Sequence, residues 1–172
     1  MPCTPFSPFT VWVTWKSTAG TNVACDALSN LASGGVTGGA VIVIGEDYGE
    51  GSSIMQERTH AFAMKSQIWL LDPRPNLESI VRLTEQAFEL SEASNTPVML
   101  EVRIRACHVH GSFIAKDNRK PAMSLAEAIE HPVRDTGRIV LPPANFPLET
   151  NMPHMWLRLR KYSYQRITKV EM

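Results

Sequence analysis

Cysteine is scarce in this chain of 172 residues: only Cys3, Cys25 and Cys107 occur, far apart. Three scattered thiols give no disulfide framework, which fits a reducing compartment, and they cannot supply the four clustered thiolates of an iron–sulfur cluster. Excess charge is missing as well. Lys plus Arg and Asp plus Glu both total 17, which argues against binding nucleic acid or an acidic membrane through bulk charge. No apolar run approaches the roughly 20 residues that span a bilayer. The opening MPCTPFSPFT has neither the basic nor the long apolar region of a secretory signal. The expectation is a cytoplasmic protein without nucleic-acid or membrane partners. G-x-G-x-x-G and G-x-x-x-x-G-K-[ST] are absent, so neither nucleotide-binding fingerprint is present.

What is there alternates. The length suits one compact α/β domain with a real core. TVWVTW (10–15) reads as a first strand, and a helix-like segment from Thr21 to about Leu31 is stopped by Gly34 and Gly35. In GGAVIVIGED the unbroken apolar, β-branched run Val41 to Ile44 suits a parallel strand covered on both faces. A second helix is predicted to start at Ser52–Ser53, where Ser53 and Gln56 have capping-box spacing. IWLLDP is a third strand, closed by Pro73 and Pro75. Asn76 then has the place of an N-cap for the strongest helical pattern, with Leu77, Ile80, Val81 and Phe88 on one face and charged residues opposite. After the Asn95–Thr96–Pro97 break, VMLEVRIR alternates apolar and polar residues, as a strand with one partly wet face would. Strands separated by helices of this length predict βαβ units and a parallel sheet.

Beyond His110 the pattern weakens. SLAEAIEH (124–131) reads as a short capped helix, RIVLPPANFPLE is interrupted by proline, and HMWLRLRKYSYQR suits a final strand or an amphipathic helix. Residues 111–172 have little independent core and are expected to pack on the domain or on a partner.

Several stretches offer chemistry beside a plainer reading. The turn between Ser17 and Asn22 sits where a strand passes into a helix. Thr21 or Asn22 can cap that helix and Gly20 permits close approach, so the turn is a ligand contact or an ordinary βα loop. GEDYGEGSS, with Glu46, Asp47 and Glu50, follows a buried strand where open α/β sheets bind ligands, but its carboxylates lack EF-hand spacing. His108 and His110 would share one face of an extended strand with Cys107 opposite. A zinc site needs a third ligand, and none is evident. Cys25 and Cys107 each lack an identifiable activating neighbour in the sequence.

VTWKSTAGTNVACDALSNLASGGVTGGAVIVIGEDYGEGSS, LLDP and AFELSEASNTPVMLEVRIR together resemble the pyrimidine-side domain of thiamine-diphosphate-dependent 2-oxoacid:ferredoxin oxidoreductases, most closely the indolepyruvate ferredoxin oxidoreductases. The resemblance runs from about Val13 to His110. It implies a three-layer α/β/α domain with a mainly parallel sheet, the thiamin-diphosphate-binding fold, lacking its leading βαβ unit. Three parts are expected: an atypical N-terminal segment 1–12, a partial pyrimidine-side domain 13–110, and the extension 111–172. The resemblance further implies that Lys16, Ser17, Gly20, Thr21 and Asn22 lie near the aminopyrimidine of the cofactor. Asp47, Gly49, Ser52 and Ser53 match a loop bordering the active site.

The chain also departs from that family. The family's Gln-Asn-Glu-Gln-Asp after the serine pair is replaced by Ile54, Met55, Gln56, Glu57 and Arg58. The upstream glutamate that promotes ylid formation has no counterpart, since MPCTPFSPFTVW holds no acidic residue. Missing as well are the Gly-Asp-Gly diphosphate motif with its later Asn and the cysteine motifs that serve ferredoxin. These departures imply a fragment of a 2-oxoacid oxidoreductase, inactive alone and carrying no catalytic residue of its own. The complete enzyme would hold thiamine diphosphate with Mg2+, carry iron–sulfur clusters elsewhere, and use ferredoxin together with the remaining domains or subunits. The alternatives are a non-catalytic interaction module that keeps the fold, and a metal hydrolase built on His108, His110 and the Asp47 loop. An exposed sheet edge predicts at least a homodimer.

Overall fold

The computed structural model describes residues 10–47, 49, 55–117, 123–131 and 141–142. Four parallel strands form one sheet in the order β1-β2-β4-β3: β1 is Val11–Lys16, β2 Ala40–Glu46, β3 Trp69–Leu71 and β4 Val98–Arg103. α1 (Cys25–Gly34) and α2 (Thr59–Ser66) pack on one face, where Leu28, Ala32 and Ala63 meet Ile42, Ile44 and Met99. α3 (Leu77–Ser94) covers the other, where Ala87 meets Val41, Val98 and Leu100. This is the expected three-layer α/β/α arrangement.

The two central strands are short of polar surface, so helices must cover both faces. β2 behaves as its apolar run predicts, with Ile44 fully buried. Each such aliphatic side chain stabilises the fold by roughly 1.5–3 kcal/mol through burial. α3 starts where the sequence places it. Asn76 is extended and its side chain accepts a 2.8 Å bond from the Ser79 amide, meeting one of the orphan donors of the first turn. The helix ends at Asn95, left-handed at φ 55. Buried Ser91 ties that end to the sheet, donating to the Thr96 carbonyl (2.7 Å) and accepting from the Ala40 amide (2.9 Å). α1 ends at Gly35, whose φ of 70 is one that glycine adopts without a Cβ penalty.

Several expectations need correction. β4 is not half wet: Val98, Met99, Leu100 and Glu101 are all at least 98% buried, because β2 and β3 flank the strand and helices cover both faces. The strand stops at Arg103 and a single helical turn, α4 (Ile104–Cys107), follows. His108 and His110 therefore do not share the face of a strand. The regular part of α1 starts at Cys25 with no side-chain cap, rather than at Thr21. α2 starts at Thr59, beyond the Ser52–Ser53 start predicted for it. Ser52 and Ser53 lie outside the described residues, as do 1–9 and most of the sequence beyond His131.

The capped helix near residue 124 is present as α5 (Leu125–Glu130), with Ser124 and Glu127 in a reciprocal capping box. The two backbone and side-chain bonds to Ser124 hold the Glu127 carboxyl below its usual range. α5 buries no residue, while Lys116 pairs with Glu85 on α3. No helix among the described residues is long and apolar enough to cross a membrane.

Candidate functional site at the carboxyl edge of the sheet

Because all four strands are parallel, the segments leaving them gather along one edge. That edge is where open α/β sheets hold ligands. Here it carries the Ser17–Thr21 turn, Asp47, Asp72 and Arg103.

The turn after β1 is irregular, with Ala19 at φ 66, ψ −50. A non-glycine residue held there stores of order 1–3 kcal/mol of strain, and such strain gathers at functional sites. The surroundings that hold it are visible. Thr18 Oγ1 donates to the Met55 carbonyl at 3.1 Å. Thr21, fully buried, accepts a 3.0 Å bond from the Trp15 indole. A Cβ on Gly20 would lie 2.7 Å from the Trp15 ring, so the close approach that needs glycine is to this indole. Thr21 is thus a tie to the strand and not a helix cap. Ser17 is buried and its hydroxyl finds no hydrogen-bond partner among the described residues, whereas Lys16 and Asn22 are exposed.

Lys16 Nζ meets Asp47 Oδ2 at 2.9 Å, so two segments 31 positions apart in sequence converge. Gly49, at φ 78, donates its amide to Gln56 Oε1 at 2.8 Å. Of the nine residues singled out from the sequence, seven are described. The structure brings Lys16 and Asp47 into contact on one edge; Ser52 and Ser53 lie outside the described residues.

Beside this pair lies a feature that the linear pattern hides. Glu46 ends β2 and Glu101 lies inside neighbouring β4 on the face covered by α2, and both are at least 97% buried. Glu46 Oε2 accepts a 2.7 Å bond from the Thr59 amide and so caps α2. Glu101 Oε1 accepts from Arg103 Nε at 2.9 Å, and Arg103 Nη2 reaches Asp72 Oδ2 at 2.7 Å. His60 Nδ1 lies 3.2 Å from Glu101 Oε2 without the alignment of a hydrogen bond, which leaves that oxygen with no directed donor. Burial raises the Glu101 pKa, Glu46 and Asp72 raise it further, and His60 and Arg103 only partly oppose them. Burial works against the charge on Arg103, but Asp72 and Glu101 outweigh it and raise its pKa. The available signal is a glutamate inside an otherwise apolar strand, which alternation alone makes look like part of a wet face.

Next to this network a cavity of about 540 Å³ opens between the ends of β2, β3 and β4. Glu46, Arg58, Pro73, Pro75, Arg103 and Arg105 are among its lining residues. Among the described residues no group of three His, Cys, Asp or Glu is placed to hold a metal ion. Cys107 turns its sulfur to the Val102 carbonyl at 3.4 Å, and burial of that sulfur pushes the thiol up, away from reactive thiolate.

This parallel α/β frame is the one that the sequence resemblance implies, and comparison with known proteins points the same way. The chain resembles part of IorA. It is 32% identical over 106 residues to the indolepyruvate oxidoreductase subunit IorA of Methanothermobacter marburgensis, covering 62% of this chain and 17% of that subunit. Over 127 residues it is 30% identical to IorA of Thermococcus kodakarensis, covering 74% of this chain and 18% of the subunit. IorA of Pyrococcus abyssi is 32% identical over 95 residues, or 55% and 14%. The chain therefore matches less than a fifth of the length of these IorA subunits. No family profile matches the sequence, and no solved structure matches it.

Proposed function

We propose that this chain is the aminopyrimidine-side part of a thiamine-diphosphate site in an indolepyruvate-like 2-oxoacid oxidoreductase. The observation that carries this reading is the Lys16–Asp47 contact, which joins the two loops singled out by the resemblance on the ligand-binding edge of a parallel sheet. The turn also suits an uncharged heteroaromatic ring that both donates and accepts hydrogen bonds. Lys16 and Asn22 present polar groups, and the Ser17 hydroxyl lacks a partner among the described residues. Thiamine diphosphate, when bound, supplies the carbanion chemistry that releases carbon dioxide from a 2-oxoacid. This chain's residues would hold and orient one ring of it.

Alone, the chain is inactive on this reading. Neither buried glutamate serves as the missing acid–base group, since Glu46 is engaged by the Thr59 amide and Glu101 by Arg103. Loss of such a group costs on the order of 10²–10⁴-fold. The diphosphate and Mg2+ end, the iron–sulfur clusters and the ferredoxin contact belong to remaining domains or subunits. The test is a titration of 4-amino-2-methylpyrimidine into isotope-labelled chain. Amide resonances of Lys16 to Asn22 and Asp47 shift together if the reading holds; shifts elsewhere, or none, overturn it.

One observation favours a second reading, that of an interaction module without chemistry. β1 is an edge strand with Val11, Trp12 and Val13 exposed at 58%, 67% and 41%, and unprotected edges recruit further strands. A homodimer or higher oligomer in solution is the expected result, and a clean monomer by light scattering counts against it.

A further inference from the structure

The same face of the sheet carries a reactive pair unrelated to the carboxyl edge. Cys25 opens α1 and Lys65 sits in the last turn of α2. Lys65 Nζ lies 2.8 Å from Cys25 Sγ and 3.4 Å from the Cys25 carbonyl oxygen. Sulfur is larger than oxygen, so 2.8 Å, an ordinary N–H···O spacing, is a compressed approach for nitrogen and sulfur. It is too long for a direct N–S bond and close to the span of two bonds meeting at one bridging oxygen. Lys65 is exposed and Cys25 half-buried, so a small oxidant can enter while the sulfur stays partly sheltered from repeated attack. Cys107, the other described cysteine, faces a carbonyl instead and has no such amine beside it.

We propose that Cys25 and Lys65 form an oxidation-dependent N–O–S bridge that ties α1 to α2. The oxidant is a peroxide, and two equivalents balance the reaction. In the first step the Cys25 sulfur attacks one peroxide oxygen: an S–O bond forms, the O–O bond breaks, water leaves, and Cys25 becomes a sulfenic acid. In the second step Lys65 gives up its ammonium proton, and an N–O bond forms between the amine and the sulfenic oxygen. One hydrogen from nitrogen, one from oxygen and two electrons pass to the second peroxide, which leaves as two waters. Thiol reductants reverse the change in two two-electron steps, the first returning the amine and the sulfenic acid, the second returning the thiol and releasing water. The bridge would fix the two helices that cover one face of the sheet, the first of which follows directly from the Ser17–Thr21 turn. It does not depend on the proposed cofactor.

The experiment treats the purified chain with hydrogen peroxide, digests it without reductant, and maps the peptides by mass spectrometry. Cys25→Ser, Lys65→Arg and Cys107→Ser variants are run in parallel. The expected result is a Cys25–Lys65 peptide pair that has gained one oxygen and lost two hydrogens. It disappears on adding dithiothreitol, is lost in Cys25→Ser and Lys65→Arg, and persists in Cys107→Ser. Because Lys65 is exposed, the arginine variant folds, and an unchanged circular dichroism spectrum verifies this. Three outcomes overturn the proposal: Cys25 oxidised to sulfinic or sulfonic acid with Lys65 unmodified, a cross-link lacking the oxygen, or cross-links to distant lysines at equal yield.

Discussion

β1 and β4 are strands of equal length in one sheet, each with four apolar residues in six, yet one is largely exposed and the other largely enclosed. β1, VWVTWK, carries a single charge and leaves Trp12 67% exposed. β4, VMLEVR, carries a glutamate and an arginine, and its first four residues are enclosed. Place in the sheet decides this. β4 has a strand on each side and helices on both faces; among the described residues β1 has one neighbour. An edge strand rich in tryptophan and valine is an adhesive surface, whereas a central strand with a charge needs partners for it. Arg103 is that partner for Glu101, and Asp72 pairs in turn with Arg103.

Four substitutions test how deep the difference runs. Met99→Ala empties a fully buried position of β4 and is expected to destabilise by about 2–5 kcal/mol, read by urea denaturation. Gly20→Ala strikes the contact that anchors β1 to its turn. The new Cβ would lie 2.7 Å from the Trp15 ring, so the indole must move and its bond to Thr21 weakens. The expected cost is about 1–3 kcal/mol, with a changed Trp15 indole NH resonance.

Glu101→Gln addresses the charge. The folded-state pKa of Glu101 is raised above its ordinary 4.5, so between those two values the native state holds the proton more tightly than the unfolded chain. The contribution to stability is full below pH 4.5 and is lost as pH rises towards the folded value, with a limiting slope of about 1.4 kcal/mol per pH unit. Unfolding measured across this range is expected to show that decline in the parent and a flatter profile in Glu101→Gln. Identical profiles in this range, with the parent instead losing stability as pH falls below 4.5, would mean that Arg103 and His60 outweigh burial. Trp12→Thr, on the open edge, is expected to change stability by no more than about 0.5 kcal/mol. A cost comparable to that of Met99→Ala would erase the contrast between the strands.

Features set by local chemistry were legible in the sequence. The β2 run, the Asn76 cap, the Asn95–Pro97 break and the Ser124 capping box all act through residues within a few positions of one another, so the chain announces them. The parallel layering followed from the spacing of those elements. The start of α2 was not legible, because Arg58 gives it no side-chain cap and the carboxylate that caps it belongs to Glu46 on β2. The burial of Glu101 was hidden for a related reason: alternation along VMLEVRIR looks the same whether its polar residues meet water or one another. In the candidate site, the resemblance pointed to the two loops. Their salt bridge, and the use of Gly20 and Thr21 to hold Trp15, depend on distances that no linear spacing encodes.

The Glu46 cap also bears on how this chain tolerates change in length. Most helices carry their starting signal in their own first residues, so an insertion just upstream moves signal and helix together. For α2 the signal is fixed in the sheet, and the helix begins at whichever residue brings its amide to that carboxylate. A change in length between Asp47 and Arg58 therefore leaves the start of α2 set by Glu46. That segment carries Gly49 and the Met55 carbonyl that Thr18 holds, so such a change is felt in the loops of the candidate site and not in the frame beneath them.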